Sequence, residues 1–187
     1  MKIRPLERHE IGAVWSIDRA EVIDNIYSRV GSELVLRPLH VEMRGWPPGE
    51  PEHYGPILLD YFDHGGTCLG AFDGETLIGG MLLESRFIGR GHDQPQLEFL
   101  HVDRRHRRSG IGRTLFERAV ARARELGARS LYISSTESEN TVHFYLRRGA
   151  RVTDDVDPAL FALEPEDIHL VYEIPSLVVG GGASGRS

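Results

Sequence analysis

The stretch from Leu97 to Leu115 restricts the fold more than any other. An apolar run over residues 96–102 leads through Asp103, Arg104, Arg105, His106, Arg107, Arg108 and Ser109 to Gly110 and Gly112. A helix is expected over 110–126, where Ile111, Leu115, Ala119, Val120 and Ala123 form one apolar stripe and Gly127 is the stop. A strand is expected next, over 130–134, and a strand–helix–strand unit of this kind calls for a right-handed crossover between parallel neighbours. The turn itself has a chemistry. The first N–H groups of a helix lack partners and carry the positive end of its dipole, and glycines let a diphosphate approach the backbone with no Cβ in the way. Neither nucleotide fingerprint fits: the dinucleotide loop needs a third glycine at its own spacing, and the Walker loop needs Gly-Lys-Ser/Thr before its helix.

The remaining pattern is a mixed α/β one. Strands are expected over 1–4, 33–43, 67–72, 76–85 and 168–174, and helices over 7–18, 51–62 and 139–147. The second of these helices starts or kinks at Pro56, and residues 45–49 make the turn before it. Asp73-Gly74 should close an antiparallel hairpin, because the pair favours positive φ. No repeat of 20–50 residues is present.

At 187 residues, 40% hydrophobic and 27% charged, the chain suits one soluble domain. We expect that domain over 1–175 and a flexible Gly/Ser-rich tail over 176–187, with 180–187 disordered. The start is charged and carries no apolar run of secretory or membrane length, so a cytoplasmic location is expected. A single cysteine, Cys68, fits a reducing compartment and a small buried hydrophobe better than a catalytic thiol. No spacing of the nine histidines with Cys or carboxylates suggests a metal site. The net charge of −6 speaks against a general nucleic-acid partner, although Arg104, Arg105, Arg107 and Arg108 make a local basic patch.

Arg-x-x-Gly-x-Gly, Arg107 through Gly112, after a strand ending Val-Asp, resembles the acetyl-CoA pyrophosphate loop of the GNAT N-acetyltransferase superfamily. Downstream, Leu131-Tyr132-Ile133 matches the next strand of that family. Phe144-Tyr145 with Gly149 is similar to the end of its following helix. Two departures show: Ala150 stands where an aromatic is usual, and Ser138 takes a usual asparagine position, with Asn140 two residues later. The resemblance implies an α/β (α+β by some schemes) fold with a mixed, mostly antiparallel central sheet that splays, flanked by helices on both faces. It makes 1–66 the acceptor-site half, 67–153 the acetyl-CoA-binding core and 154–175 the C-terminal strand region.

It also implies roles. The backbone of Leu100, His101 and Val102 would hold the thioester and pantetheine arm. Arg107, Arg108, Ser109, Gly110, Ile111, Gly112, Arg113 and Thr114 would hold the pyrophosphate, with Arg107 and Arg113 as the preferred side chains. Ser138 and Asn140 would add a coenzyme contact, although either is equally a helix N-cap. Tyr145 resembles the tyrosine that protonates the departing thiolate; the alternative is a core aromatic.

Glu98, a carboxylate in an otherwise apolar strand, is the candidate base, directly or through water; the alternative is an exposed strand residue. Strand alternation places His101 on the face opposite Glu98 unless a bulge intervenes. Asp18, Glu21, Asp24, Tyr27, Glu42 and Trp46 bring acid and aromatic character suited to a cationic amine. The acceptor would be a small-molecule or peptide amine, with no metal, nucleic acid or membrane involved. A catalytically idle acyl-CoA sensor is the competing function. A homodimer through an edge strand such as the last one is a further expectation.

Overall fold

The computed structural model describes residues 1–31 and 33–176; the tail expected to be disordered, 180–187, lies outside them. The elements run β1 (Lys2–Pro5), a 3-10 helix (Arg8–Ser16), β2 (Glu21–Val30), β3 (Glu33–Met43), α1 (Glu50–Asp63), β4 (Thr67–Asp73), β5 (Thr76–Ile88) and β6 (Gln94–Val102). Then follow α2 (Ile111–Glu125), β7 (Ser130–Ser135), α3 (Glu139–Leu146), β8 (Arg151–Val152), α4 (Pro158–Leu163) and β9 (Ile168–Glu173). Seven strands form one sheet in the order β1-β4-β5-β6-β7-β9-β8, and β2 pairs with β3 as a separate two-stranded ribbon.

Every pairing in the large sheet is antiparallel except β6 with β7. Those two strands meet at one parallel pair, Gln96 with Tyr132, so the sheet opens into a V beyond it. The crossover expected from the sequence is α2, whose Ile111, Leu115, Ala119 and Ala123 are buried against one sheet face together with Leu83, Leu97, Leu131 and Ile133. The opposite face carries a second core, where Ile11, Val14, Ile17 and Leu58 pack on Leu82 and Phe99. Helices therefore cover both faces.

Several elements depart from expectation. The stretch over 7–18 is a 3-10 helix, with Glu7 and Glu10 in a reciprocal capping box and Ile17 N–H reaching only to Val14 O. Residues 21–30, with no expected element, form β2. Their apolar residues come in adjacent pairs, Val22-Ile23 and Ile26-Tyr27, and follow neither period. The last strand is not an edge: β9 lies between β7 and β8, which removes it as a dimer seam. β8 and α4 also match no expected element, each being too short to show a period. The β4–β5 turn is at Gly74, φ +58°, and α1 continues through Pro56. Cys68 is buried, with its thiol pushed up to about 12 by burial first and by Glu84 second.

Candidate active site

Between β6 and α2 the chain makes the expected glycine-bearing turn. Gly110 precedes the helix at φ +90°, a conformation that penalises any Cβ, and Arg108 also takes a positive φ of 63°. At Gly112 a Cβ would lie 3.3 Å from the Phe144 ring, so glycine there also lets α2 approach α3 closely. The first paired amide at the junction is that of Thr114, on Gly110 O at 3.0 Å. The N–H groups ahead of it start the helix, the kind of unpaired backbone donors that can take an anion.

Arg107 is not a free side chain. Its Nε donates to Val102 O (3.2 Å) and its Nη2 to Arg19 O (3.0 Å), with Glu21 3.8 Å from Nη1. It thus ties the end of β6 and the segment before β2 to the loop. Arg113 lies exposed on α2 and pairs with Glu117 at 2.7 Å. Ser109 Oγ donates to His106 O. At the start of α3, Ser138 is the N-cap: its Oγ accepts from Thr141 N–H and donates to Thr141 Oγ1. Asn140 donates to Glu21 Oε1 at 2.7 Å.

A cleft opens where β6 and β7 part. Glu98, Leu100, His101 and Tyr145 all line it. The condition attached to strand alternation is met, because Leu82 pairs with Phe99 while Leu83 pairs with Leu97. Glu98 is the extra residue of a β-bulge, and it shares the cleft with His101.

The electrostatics separate the two side chains. Burial, then Asp167, then Glu84 push the Glu98 carboxyl up to about 7, whereas burial, Arg19 and Arg107 push the His101 imidazole down to about 3. Near neutral pH the Glu98 carboxyl is therefore close to its midpoint, and His101 is a neutral wall. Burial also raises the Tyr145 hydroxyl above its ordinary value, which keeps it protonated.

Of the upstream candidates, only Trp46 lines this cleft. It stacks over Phe99 at 5.8 Å and meets Trp15 edge-on at 4.7 Å. Asp18 and Glu21 lie elsewhere: Asp18 O accepts from Arg104 N–H, and Glu21 accepts from Asn140. Asp24, Tyr27 and Glu42 belong to the ribbon, where Asp24 pairs with His40, Tyr27 with His143 and Glu42 with Arg44.

The cleft walls that went unforeseen are Arg19, Glu50, Tyr54, Glu164 and Asp167. Arg19 is 9% exposed, bonds Glu50 at 2.8 Å and lies 4.7 Å over the Trp46 ring. Tyr54 hydrogen-bonds Glu164. Asp167 accepts from Ser134 Oγ and is pushed up to about 7, chiefly by burial. The acidic run Glu164-Pro165-Glu166-Asp167 before the last strand was the available signal. Among the described residues no group of three His, Cys, Asp or Glu could hold a metal ion, and no helix is long and apolar enough to cross a membrane.

The model of the acetyltransferase (GNAT) family matches residues 36–150. The chain belongs to that family: it is an N-acetyltransferase, and acetyl-CoA is its acyl donor. Solved structures share the fold over nearly their whole length. Nourseothricin acetyltransferase is 21% identical, with a TM-score of 0.68 over 93% of this chain and 98% of that one. A protein assigned as a streptothricin acetyltransferase from Bacillus anthracis str. Ames, in complex with acetyl coenzyme A, is 16% identical, with a TM-score of 0.70 and the same coverage. PaiA N-acetyltransferase from Thermoplasma acidophilum, in complex with coenzyme A, is 17% identical, with a TM-score of 0.60 over 92% and 98%. No curated protein sequence matches.

Proposed function

We propose that this enzyme acetylates a primary amine of a small cationic molecule by direct attack on acetyl-CoA, with Glu98 as base and Tyr145 as acid. The observation that carries the reading is the pair itself: Glu98, at a bulge, and Tyr145, on α3, face one cleft at the point where β6 and β7 separate. The backbone of Leu100, His101 and Val102 would hold the thioester beside them, and the loop from Arg107 to Thr114 would hold the pyrophosphate. The amine nitrogen forms a bond to the thioester carbonyl carbon, giving a tetrahedral oxyanion. Backbone N–H groups stabilise it by ~3 kcal/mol per good donor. The nitrogen's proton passes to Glu98, directly or through water. As the C–S bond breaks, the Tyr145 hydroxyl protonates the thiolate, and coenzyme A and the acetylated amine leave.

Charge supports a cationic acceptor. Glu50, Glu98, Glu164 and Asp167 line the cleft together with Arg19, whose guanidinium is already paired with Glu50. Trp15, Trp46 and Tyr54 add aromatic faces that suit an ammonium. Side chains from the 3-10 helix, α1 and α4 line the cleft, and its small volume favours a small molecule over a peptide. The similarity to the nourseothricin and streptothricin acetyltransferases agrees with that size class. The test is thiol release from acetyl-CoA against a panel of mono- and diamines and aminoglycosides, beside amine-free controls. Release that needs an amine, prefers the cationic ones and is lost in Tyr145→Phe supports the proposal. Binding of acetyl-CoA with no release for any amine would instead support a sensor.

A further inference from the structure

A second cavity lies beside the splay cleft, across α4 from it. Leu160 and Leu163 of that helix line the cleft, Pro158 and Phe161 line the cavity, and Asp167 is a wall of both. The two spaces differ in size: the cleft holds about 130 Å³ and the cavity about 600 Å³. Sites for small organic molecules usually have ~300–1,000 Å³, so the cleft takes an amine with its nearest carbons and the cavity can take the body of the molecule.

One group in the cavity wall lacks a partner. His169 alternates along β9 with Ile168 and Leu170, which belong to the core shared with α2, so its imidazole stands on the opposite face of the sheet. It is 4% exposed and lines the cavity. Its Nδ1 is 2.8 Å from the Tyr132 hydroxyl, and that hydroxyl accepts from Asp157 N–H at 2.9 Å. Burial, foremost, pushes the phenol up to about 12 and the imidazole below its ordinary value, so near neutral pH Tyr132 keeps its proton and the imidazole carries one. With its oxygen already accepting from Asp157, Tyr132 donates to Nδ1, and the imidazole proton is therefore on Nε2. Nε2 is buried and has no hydrogen-bond partner among the described residues. A buried donor left unpaired is costly, and one set in the wall of a cavity calls for an acceptor brought by a ligand.

The rest of the wall says which acceptor. Glu137, Glu166 and Asp167 give the cavity a negative surround. Arg29, the arginine in the wall, is committed: it bonds Gly31 O, Thr153 O and Asp154. A carboxylate is therefore disfavoured and an uncharged carbonyl suits Nε2–H. Apolar contact for the body of the ligand comes from Ile26, Val156 and Phe161, the last 51% exposed with its ring 6.2 Å from that of His169.

We infer that the acceptor is a two-ended molecule: its amine enters the splay cleft, and an uncharged amide-type carbonyl at its other end accepts a hydrogen bond from His169 Nε2 in the cavity beyond Asp167. The amine's place rests on the acetyl transfer proposed above; the carbonyl's place does not.

The test pairs turnover with a direct view of His169. ω-Amino carboxamides of increasing chain length are compared as acceptors with the alkylamine and the ω-amino acid of equal length. At one length the amide should exceed the alkylamine in kcat/KM by ~3–10-fold, the yield of one hydrogen bond, with the amino acid below the amide. His169→Phe should remove that preference. So should Ser28→Trp, which fills the cavity from the ribbon and leaves the Tyr132–His169 pair in place. Independently of turnover, the same amide added to the wild-type protein should shift the imidazole N–H resonance of His169 downfield, and the alkylamine should not. Transfer without any preference for the amide, or a His169 resonance that no amide moves, overturns the inference. No turnover with any amine, while the amide still moves His169, would remove the acetyl transfer and support the carbonyl site.

Discussion

Replacing Glu98 with glutamine should make the protein more stable and the enzyme slower, and both effects follow from one ionisation. The carboxyl is raised from the ordinary 4.5 to about 7 in the folded state. Below the unfolded value both states hold the proton and nothing is lost. Between the two values the unfolded chain ionises while the folded one resists, so stability falls as pH rises, and above about 7 the loss is complete. At ~1.4 kcal/mol per unit the full cost is ~3 kcal/mol. Glutamine keeps the shape and can still accept the Gln96 Nε2 bond through its amide oxygen.

In a chain of this size, relief of that cost should raise the melting temperature by about 6–12 °C at about pH 9 and by almost nothing at about pH 4. The same change should lower kcat by ~10²–10⁴ and remove the limb of the pH–rate profile that rises through about 7. Scanning calorimetry at the two pH values, with thiol release across the range, reads all of this. Equal melting shifts at both pH values, or a rate profile unchanged by the substitution, would refute the reasoning.

Tyr145→Phe should reduce kcat by about 10²-fold or more while titration calorimetry shows acetyl-CoA binding unchanged, because only the proton donor is lost. Gly110→Val should weaken acetyl-CoA binding and destabilise by ~1–2 kcal/mol, since φ +90° is unfavourable for a side chain even where space is open; denaturant melts and titration check it. Leu115→Ala, in the fully buried stripe of α2, should cost ~2–5 kcal/mol with the site chemistry intact, measured by urea unfolding. Arg107→Met should free the His101 imidazole to titrate higher than about 3, followed by its ring resonances, because one of the cations beside it is gone.

The glycine turn was legible because its geometry is local: a strand, a glycine turn and a helix start lie within twenty residues. The acceptor half was not. Arg19, Glu50 and the pair Glu164 and Asp167 come together from three places in the chain, and an isolated acid or arginine reads as surface until the sheet splay brings it to a cleft. Alternation also misled, for an ideal strand separates Glu98 from His101 and a single bulged residue unites them. Arg107, expected as a phosphate ligand, holds the backbone carbonyls of Val102 and Arg19, the latter 88 residues distant and signalled by no local pattern.

The central claim, that this splay cleft transfers an acetyl group to an amine by way of Glu98 and Tyr145, is tested most directly by single-turnover thiol release with acetyl-CoA bound in advance and an amine added. Release should follow the amine, slow strongly in Glu98→Gln and in Tyr145→Phe, and leave the acetyl group on nitrogen by mass spectrometry. Amine-dependent release at wild-type rate in both variants would contradict the account.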